Sequence, residues 1–195
     1  MKKDIILAGV GGQGILSIAT VIGYIAVKKD LFLKQSEVHG MSQRGGDVSS
    51  HLRISDKPVA SDLIPKGKAD MILSVEPLES LRYLPWLSET GWIVTNETPF
   101  KNVSNYPDVE EIHKIIRTQP QHVLIDAEKL AKESGTIRSA NMVILGAASL
   151  FLGFEDAEYE EAMRAIFGKK GEDIVQKNIK AFQSGKEIAS KSVHV

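Results

Sequence analysis

The stretch that decides the fold, residues 9–14, reads Gly9-Val10-Gly11-Gly12-Gln13-Gly14. It has the spacing G-x-G-x-x-G, and the apolar run before it, residues 5–10, has the length of a buried strand. Residues 14–29 have the pattern of a helix, and residues 31–38 have that of a second strand. A strand, a glycine turn, a helix and a strand form the unit that opens a doubly wound α/β fold.

The same alternation continues beyond this unit after one interruption. In residues 48–54 apolar and polar side chains alternate with a period of two, which predicts a half-exposed strand. Residues 58–61, after a turn signal at 55–58, are the candidate for its return as a β-hairpin. Further core strands are predicted at residues 71–75, 92–95 and 123–125, and helices at 77–84, 108–117, 127–134 and 141–152, with two amphipathic helices after them.

The predicted fold class is therefore α/β, with a Rossmann-like, doubly wound, mostly parallel sheet, an inserted β-hairpin and C-terminal helices. We expect residues 1–195 to form a single domain, with a Rossmann-like core at 1–135 and a helical extension at 139–188. The helices at 15–27 and 142–152 carry apolar side chains beyond one stripe. Either the C-terminal helices or a partner protein must cover them.

Composition excludes several functions. The 195 residues carry a net charge of −1 and no block of like charge, which argues against nucleic-acid binding. The chain has no cysteine, which excludes disulfides, cysteine-bound zinc and iron–sulfur clusters held by its own thiolates. The N-terminus lacks the pattern of a signal peptide, and no apolar run reaches the roughly 18 residues of a membrane span. The expected location is the cytoplasm.

The first glycine loop, residues 9–14, suits an anionic ligand. Glycines let a phosphate approach the backbone, and the N-terminus of the following helix offers N–H groups and a positive dipole end. The alternative is that the glycines only permit a tight turn and close packing. A dinucleotide would need an acidic residue about 20 residues further on. Glu37 comes late for that role, so the pattern favours another anion over NAD.

A second loop, residues 39–46, reads His39-Gly40-Met41-Ser42-Gln43-Arg44-Gly45-Gly46. It offers backbone N–H groups, a guanidinium that can clamp a phosphate or carboxylate, and a titratable imidazole. The alternative is a solvated turn whose Arg44 forms a salt bridge with an acidic neighbour. Because it follows the second strand, we expect it at the same edge of the sheet as the first loop, where the two would form one concave surface.

Both loops together resemble the gamma-type domain of the pyruvate, 2-oxoglutarate and indolepyruvate ferredoxin oxidoreductases. The resemblance extends to Ile15, to Glu37-Val38 and to the later stretch Asn141-Met142-Val143-Ile144-Leu145-Gly146-Ala147. The matches occur in the family's order and span residues 9–147. The second loop is more similar to the small, beta subunits of the indolepyruvate type than to the pyruvate enzymes.

The resemblance implies a division of labour between subunits. Enzymes of this family decarboxylate a 2-oxoacid on thiamine diphosphate, pass electrons through iron–sulfur clusters to ferredoxin and release an acyl-CoA. A large partner subunit is expected to carry the thiamine and the clusters, which agrees with the absence of cysteine and of a Gly-Asp-Gly segment here. This chain is expected to be inactive alone. No catalytic residue and no metal ligand carries over. CoA is the candidate ligand at Gly9, Gly11, Gly12, Gln13, Gly14, His39, Ser42, Gln43, Arg44, Gly45 and Gly46.

Three further polar residues are secondary candidates. Glu76, Asn96 and Glu97 follow predicted strands and would lie at the ligand-binding edge, although capping the next helix is the favoured interpretation. Two rival functions also remain at this point. One is a stand-alone NAD(P)-binding dehydrogenase, and the other is a non-catalytic assembly or regulatory module of the same family.

Overall fold

A computed structural model describes residues 1–40, 45–101 and 103–193, with the side chain of His39 outside the described part. Within these ranges the strands are β1 (Lys2–Val10), β2 (Phe32–His39), β3 (Asp47–Ser55), β4 (Ala69–Ser74), β5 (Leu87–Asn96) and β6 (His122–Ile125). The α-helices are α1 (Ile15–Lys28), α2 (Pro77–Arg82), α3 (Val109–Arg117), α4 (Ala127–Glu133), α5 (Ala140–Leu152), α6 (Asp156–Phe167) and α7 (Glu172–Ser192). Short 3₁₀ turns lie at Leu84–Trp86, Ile137–Ser139 and Gly168–Lys170.

The strands form one sheet in the order β2-β3-β1-β4-β5-β6. Strands β1, β4, β5 and β6 are parallel to one another, and β3 runs antiparallel to both β1 and β2. Strand β2 therefore points the same way as β1, but β3 lies between them. The predicted α/β class and the mostly parallel sheet are confirmed.

The predicted partner of the hairpin was wrong. Residues 58–61 form no strand, and β3 instead returns on β2, with Lys34 opposite Arg53. Arg53 Nη1 donates hydrogen bonds to the carbonyl oxygens of Ser61 and Leu63 at 3.1 and 3.0 Å, and Lys34 Nζ donates one to that of Ala60 at 3.1 Å. The segment predicted as a strand is thus held across the face of the hairpin by side chains, so it does not extend the sheet.

The core lies on both faces of the sheet. Alternate residues of β1 point to opposite sides, so Ile5 and Leu7 pack with Ile22 of α1, and Ile6 packs with Ile112 of α3. Helices α1 and α4–α7 cover the first face, whereas α2 and α3 cover the second. The carboxyl ends of β1, β4, β5 and β6 consequently meet at one edge between these two layers.

The C-terminal helices pack on α1 and α5, the two helices whose apolar side chains extend beyond one stripe. Helix α5 packs backbone to backbone on α7. The helices are so close at Gly146 that a Cβ there would lie 1.9 Å from the Phe182 carbonyl oxygen. A Cβ at Gly185 would lie equally close, 1.9 Å, to that of Val143. Helix α1 is covered by α5 and α6, with Lys28 Nζ 2.9 Å from Glu161 Oε1. Intramolecular packing therefore covers α5 and most of the apolar surface of α1, whereas Leu16 and Val27 of α1 stay exposed.

Residues of the predicted helical extension share one apolar core with the predicted Rossmann-like core. Leu145 and Phe182 belong to the same buried cluster as Ile5 and Leu73. The division at residues 135–139 stays a prediction.

Candidate functional site

The first glycine loop joins β1 to α1 at the carboxyl edge of the sheet. The backbone N–H of Gln13 donates to the Val10 carbonyl oxygen at 3.1 Å, and Gln13 Oε1 accepts from the Val10 N–H at 2.8 Å. Gln13 thus closes the turn through both its backbone and its side chain. Gly14 forms the N-cap of α1 with φ of 82°, and no side chain caps this helix N-terminus.

The glycines of this loop do different things. A Cβ at Gly9 would lie 2.5 Å from side-chain atoms of both Ile15 and Val75, and one at Gly14 would lie 2.6 Å from Asn141 Nδ2. Gly12 has φ of +100°, and a Cβ there would meet no atom within 4 Å. Close packing therefore accounts for Gly9 and Gly14, whereas Gly12 borders open space that a ligand group can occupy.

The first glycine loop is hydrogen-bonded to the end of the second. The N–H of Gly11 donates to the carbonyl oxygen of Gly46 at 2.8 Å, which ties the first loop to the end of the second. Gly40 continues the hairpin through its N–H, which donates to the Asp47 carbonyl oxygen at 2.8 Å. The sequence-based expectation of one shared edge thus agrees with the positions of these backbone groups.

Three of the candidate residues, Ser42, Gln43 and Arg44, lie outside the described residues, as does the side chain of His39. Their role in ligand binding stays a prediction. In the described part, Gly46 lies beside Gly11 of the first loop, and Gly40 pairs with Asp47 at the start of β3.

A cleft of about 230 Å³ opens on the other side of the first loop, over the ends of β4, β5 and β6. Its polar wall includes the Asn141 amide, which donates to the Gly14 carbonyl oxygen at 3.0 Å. Arg138, in the 3₁₀ turn before α5, contributes an exposed guanidinium, and Phe100 contributes an exposed ring. The cleft is lined by Gly12, Gln13, Val75, Asn96, Phe100, Ala127, Glu128, Ile137, Arg138, Ala140, Asn141 and Ile144.

Arg138 was not identified from the sequence. One signal could have indicated it. Arg138 lies three residues before Asn141, and Asn141 begins the stretch 141–147 that carries the family resemblance. The chain from Ser134 to Asn141 bends through the turn Ile137–Ser139, which brings this guanidinium to the loop at residues 9–14. Local patterns do not reveal such a bend, because it depends on the packing of α5 against α1.

Glu76 is a helix cap, as the favoured interpretation stated. Its Oε2 accepts from the Glu79 N–H at 2.8 Å, and its Oε1 accepts from the Phe100 N–H at 3.2 Å and from the Tyr106 hydroxyl at 2.5 Å. The side chain is buried, and its hydrogen bonds tie α2 to the segment after β5. Burial, together with this carboxylate, raises the pKa of Tyr106 above its usual range.

Asn96 and Glu97 also form hydrogen bonds to neighbouring helices and strands. Asn96 Oδ1 accepts from the Ala127 N–H at 3.0 Å and so holds the first turn of α4. The Glu97 backbone pairs with β6 through the Ile125 carbonyl oxygen at 2.8 Å, and its own carbonyl oxygen is 2.8 Å from His113 Nε2. Of the three secondary candidates, only Asn96 also borders the cleft.

A titratable carboxyl that the sequence did not single out lies near the second loop. Glu79 is 5% exposed, and its Oε2 is 3.1 Å from Arg82 Nε. Burial raises the pKa of Glu79 to about 7; Arg82 opposes the shift, and the charges of Glu76 and Asp47 add to it. Asp47 begins β3 where the second loop returns, so a group that titrates near neutral pH adjoins that loop.

No metal centre emerges from the described ranges, where no three His, Asp or Glu side chains are grouped to hold an ion. The described helices also include none that is both long and apolar enough to cross a membrane.

Comparison with known proteins gives consistent matches along the whole chain. Residues 4–188 match the family described as pyruvate ferredoxin/flavodoxin oxidoreductase. The indolepyruvate oxidoreductase subunit IorB of Pyrococcus horikoshii is 39% identical over 206 residues, which cover 100% of both chains.

Solved structures share the fold. The gamma subunit of a keto/oxoacid ferredoxin oxidoreductase from Geobacter sulfurreducens superposes with a TM-score of 0.71 at 25% identity, over 96% of this chain and 98% of that one. A 2-oxoglutarate:ferredoxin oxidoreductase from Magnetococcus marinus, solved with 2-oxoglutarate, coenzyme A and succinyl-CoA bound, gives a TM-score of 0.77 at 24% identity. The match covers 98% of this chain but only 31% of that one, so the shared fold is one part of that longer chain.

Proposed function

The chain belongs to the pyruvate ferredoxin/flavodoxin oxidoreductase family, and from that premise we propose that it is the small subunit of a 2-oxoacid oxidoreductase of the indolepyruvate type. The observation that carries the proposal is the 39% identity to an indolepyruvate oxidoreductase subunit across 100% of both chains. The enzyme would oxidatively decarboxylate an aryl-substituted 2-oxoacid to its acyl-CoA, with ferredoxin as the electron acceptor.

The redox groups belong to a partner in this proposal. The chain has no cysteine, so its residues do not fit an iron–sulfur cluster, and it has no Gly-Asp-Gly segment for the magnesium diphosphate of thiamine. A large subunit would supply both groups. The role of this chain in the proposed complex is to bind and orient an anionic substrate at the edge where the two glycine loops meet.

The ligand proposed for that edge is CoA. Gly12 borders open space beside the uncapped N-terminus of α1, where backbone N–H groups and the helix dipole favour a phosphate. The exposed guanidinium of Arg138 lies on the cleft side of the loop, and Arg44 belongs to the second loop. A guanidinium beside a glycine loop suits a phosphate group. The CoA in the distant Magnetococcus structure, in a protein of which this fold is a part, supports the same choice.

Reconstitution tests the subunit assignment. We expect the purified chain to be colourless and to give no turnover with indolepyruvate, CoA and an artificial electron acceptor, and to restore turnover when the large subunit is added. Turnover by this chain alone would overturn the assignment. Full turnover by the large subunit alone would instead favour the rival assembly module.

Substitutions at the edge test the ligand. We expect Arg44→Ala, His39→Ala and Arg138→Ala each to raise the apparent KM for CoA about tenfold in the complex, which corresponds to about 1.4 kcal/mol, the scale of one charge-assisted hydrogen bond. The matched control is Arg164→Ala, since Arg164 is exposed and pairs with Glu172 near the start of α7. Changes within about twofold for all three, or roughly 0.4 kcal/mol, contradict the assignment. Micromolar affinity for NAD without a response to CoA in calorimetry would favour the dehydrogenase.

A further inference from the structure

The chain between β5 and α3 carries an exposed aromatic ring on a firmly held backbone. Phe100 is 44% exposed, yet buried side chains hold the backbone that leads to it. Asn96 Nδ2 donates to the Thr98 carbonyl oxygen at 3.1 Å, and Glu76 Oε1 accepts from the Phe100 N–H at 3.2 Å. A ring that is left in water adds little to the core, whereas a preorganised binding contact requires an anchored backbone.

Glu76 is the central anchor of this segment. Its side chain is 1% exposed, and it follows the end of β4. Besides the Phe100 N–H, Oε1 accepts from the Tyr106 hydroxyl at 2.5 Å, and Oε2 accepts from the Glu79 N–H at 2.8 Å. A carboxylate accepts at both oxygens, whereas an amide has only one acceptor oxygen. One buried group therefore fixes the position of Phe100 relative to β4 and α2.

The ring of Phe100 borders the cleft of about 230 Å³ beside the first glycine loop. Ile137, which is 45% exposed, and the exposed side chain of Arg138 line the same cleft. Gly12, which borders open space next to the N-terminus of α1, belongs to this lining as well. The cleft thus offers an aromatic and an aliphatic side chain to a flat apolar group, and it offers anion-binding groups at two places, Gly12 and Arg138.

CoA has this combination of groups at its nucleotide end. Its purine is a flat ring that can stack on an aromatic side chain, and its ribose carries the diphosphate at the 5′ position and a further phosphate at the 3′ position. An aryl-substituted 2-oxoacid has a flat ring but only one anionic group. It also reacts on thiamine, which the proposed function assigns to the partner. The pattern of the cleft therefore favours the nucleotide.

We propose that the cleft binds the adenosine part of CoA, with the purine on the ring of Phe100 and the 3′ phosphate at Arg138, and that Glu76 is the positioning residue that holds this ring in place. The diphosphate then lies at Gly12, and the pantetheine leaves the cleft at that end. Glu76 contacts no ligand and acts only through Phe100. The inference rests on the proposed function for the identity of the ligand.

A double-mutant cycle in the reconstituted complex tests the role of Glu76. We expect Phe100→Ala to raise the apparent KM for CoA about tenfold, the scale of a lost stacking contact, and to leave kcat and the KM for the 2-oxoacid unchanged. Glu76→Asp keeps a favoured N-cap for α2, but its carboxylate is one methylene shorter and cannot also hold Phe100. It should raise the same KM by a similar factor and add nothing in the Phe100→Ala background.

Two further variants separate stacking from general damage. Phe100→Trp keeps an aromatic surface and should retain the KM of the natural chain. The matched control is Phe32→Ala, because Phe32 is 48% exposed on β2 and is not part of the cleft lining.

CoA analogues test which part of the ligand the cleft holds. The penalty of Phe100→Ala should persist with dephospho-CoA, which lacks the 3′ phosphate, and disappear with 4′-phosphopantetheine, which lacks adenosine. The penalty of Arg138→Ala should disappear with both analogues. Calorimetry with adenosine 3′,5′-bisphosphate needs no turnover, and the affinity of the complex for this nucleotide should fall about tenfold in Phe100→Ala.

The outcomes distinguish this inference from the proposed function. Additive effects of Glu76→Asp and Phe100→Ala, or a KM for CoA within about twofold of the natural value in Phe100→Ala, overturn the inference in a complex that still turns over. A penalty confined to the 2-oxoacid also overturns it, because the substrate ring would then occupy the cleft. If Glu76→Asp yields no folded complex, the same cycle with Glu76→Gln decides. A complex that gives no turnover with CoA contradicts the proposed function itself.

Discussion

The two glycine loops at the carboxyl edge have similar compositions and different structural roles. In the first loop, Gly9 and Gly14 are required because neighbouring side chains occupy the space of a Cβ, 2.5 and 2.6 Å away. In the second loop, Gly46 contributes a carbonyl oxygen that accepts from Gly11 at 2.8 Å, and Gly40 continues the hairpin. The first loop is therefore mainly a packing device with one open position at Gly12. The described ends of the second loop continue the hairpin at Gly40 and tie the two loops together at Gly46.

This contrast teaches that a glycine motif does not by itself indicate a ligand. The spacing G-x-G-x-x-G is satisfied here largely by the need to bring β1, α1 and α5 close together. Substitutions in the first loop should consequently reduce stability, whereas substitutions in the second should affect binding. The following predictions are ordered from the largest expected effect on the unfolding free energy to the smallest.

Gly14→Ala should cost about 3 kcal/mol of unfolding free energy. The positive φ of 82° costs a side chain about 1–2 kcal/mol, and the contact with Asn141 adds the rest. The matched control, Gly12→Ala, has φ of +100° but open space, so it should cost only the backbone part. Urea unfolding of the two variants measures the difference. Equal losses would show that packing against Asn141 does not explain Gly14.

Glu79 should make the protein less stable as pH rises from about 5 to 7. Its pKa is raised from 4.5 to about 7 in the folded chain, so over this range the folded state holds a proton that the unfolded state has released. The sign of linkage then gives a falling unfolding free energy, on the order of 2 kcal/mol in total. The contribution is fully present below about pH 4.5 and is lost as the pH passes through 7.

Glu79→Gln should remove this pH-dependence, because the amide stays neutral throughout. Urea unfolding at several pH values between 5 and 8 provides the measurement, with the exposed Glu133→Gln as the control. A slope in Glu79→Gln that equals the slope of the natural chain would mean that another group is responsible. A tenfold change in CoA affinity in Glu79→Gln would mean that this carboxyl also affects ligand binding at the second loop.

Gln13→Met should have the smallest effect, about 1 kcal/mol. It removes the Oε1 acceptor of the Val10 N–H, a bond of 2.8 Å, while keeping the length of the side chain. Gln13→Glu keeps an acceptor oxygen and should retain most of the stability. If both variants lose the same amount, the side-chain bond contributes nothing to the turn, and the backbone bond from Gln13 to Val10 suffices.

Local signals predicted most elements well. The helix expected at residues 108–117 begins after Asp108, whose Oδ1 accepts from the N–H groups of Glu110 and Glu111 at 3.0 and 3.1 Å. The strand expected at 71–75 spans Ala69–Ser74. Such features depend on residues a few positions apart, so a single sequence contains the information.

The sequence by itself thus determined the order and type of the elements, the glycine turn between β1 and α1, the family and the exclusion of cysteine chemistry. Only the tertiary structure decided that β3 returns on β2, that Gly146 and Gly185 let α5 and α7 pack backbone to backbone, and that Arg138 lies beside the first loop. It also decided the raised pKa of Glu79. The period of the hydrophobic residues shows which face of a helix or strand is buried. It does not show which residues of other elements pack against that face. Strand partners, close backbone contacts and desolvation all depend on those residues.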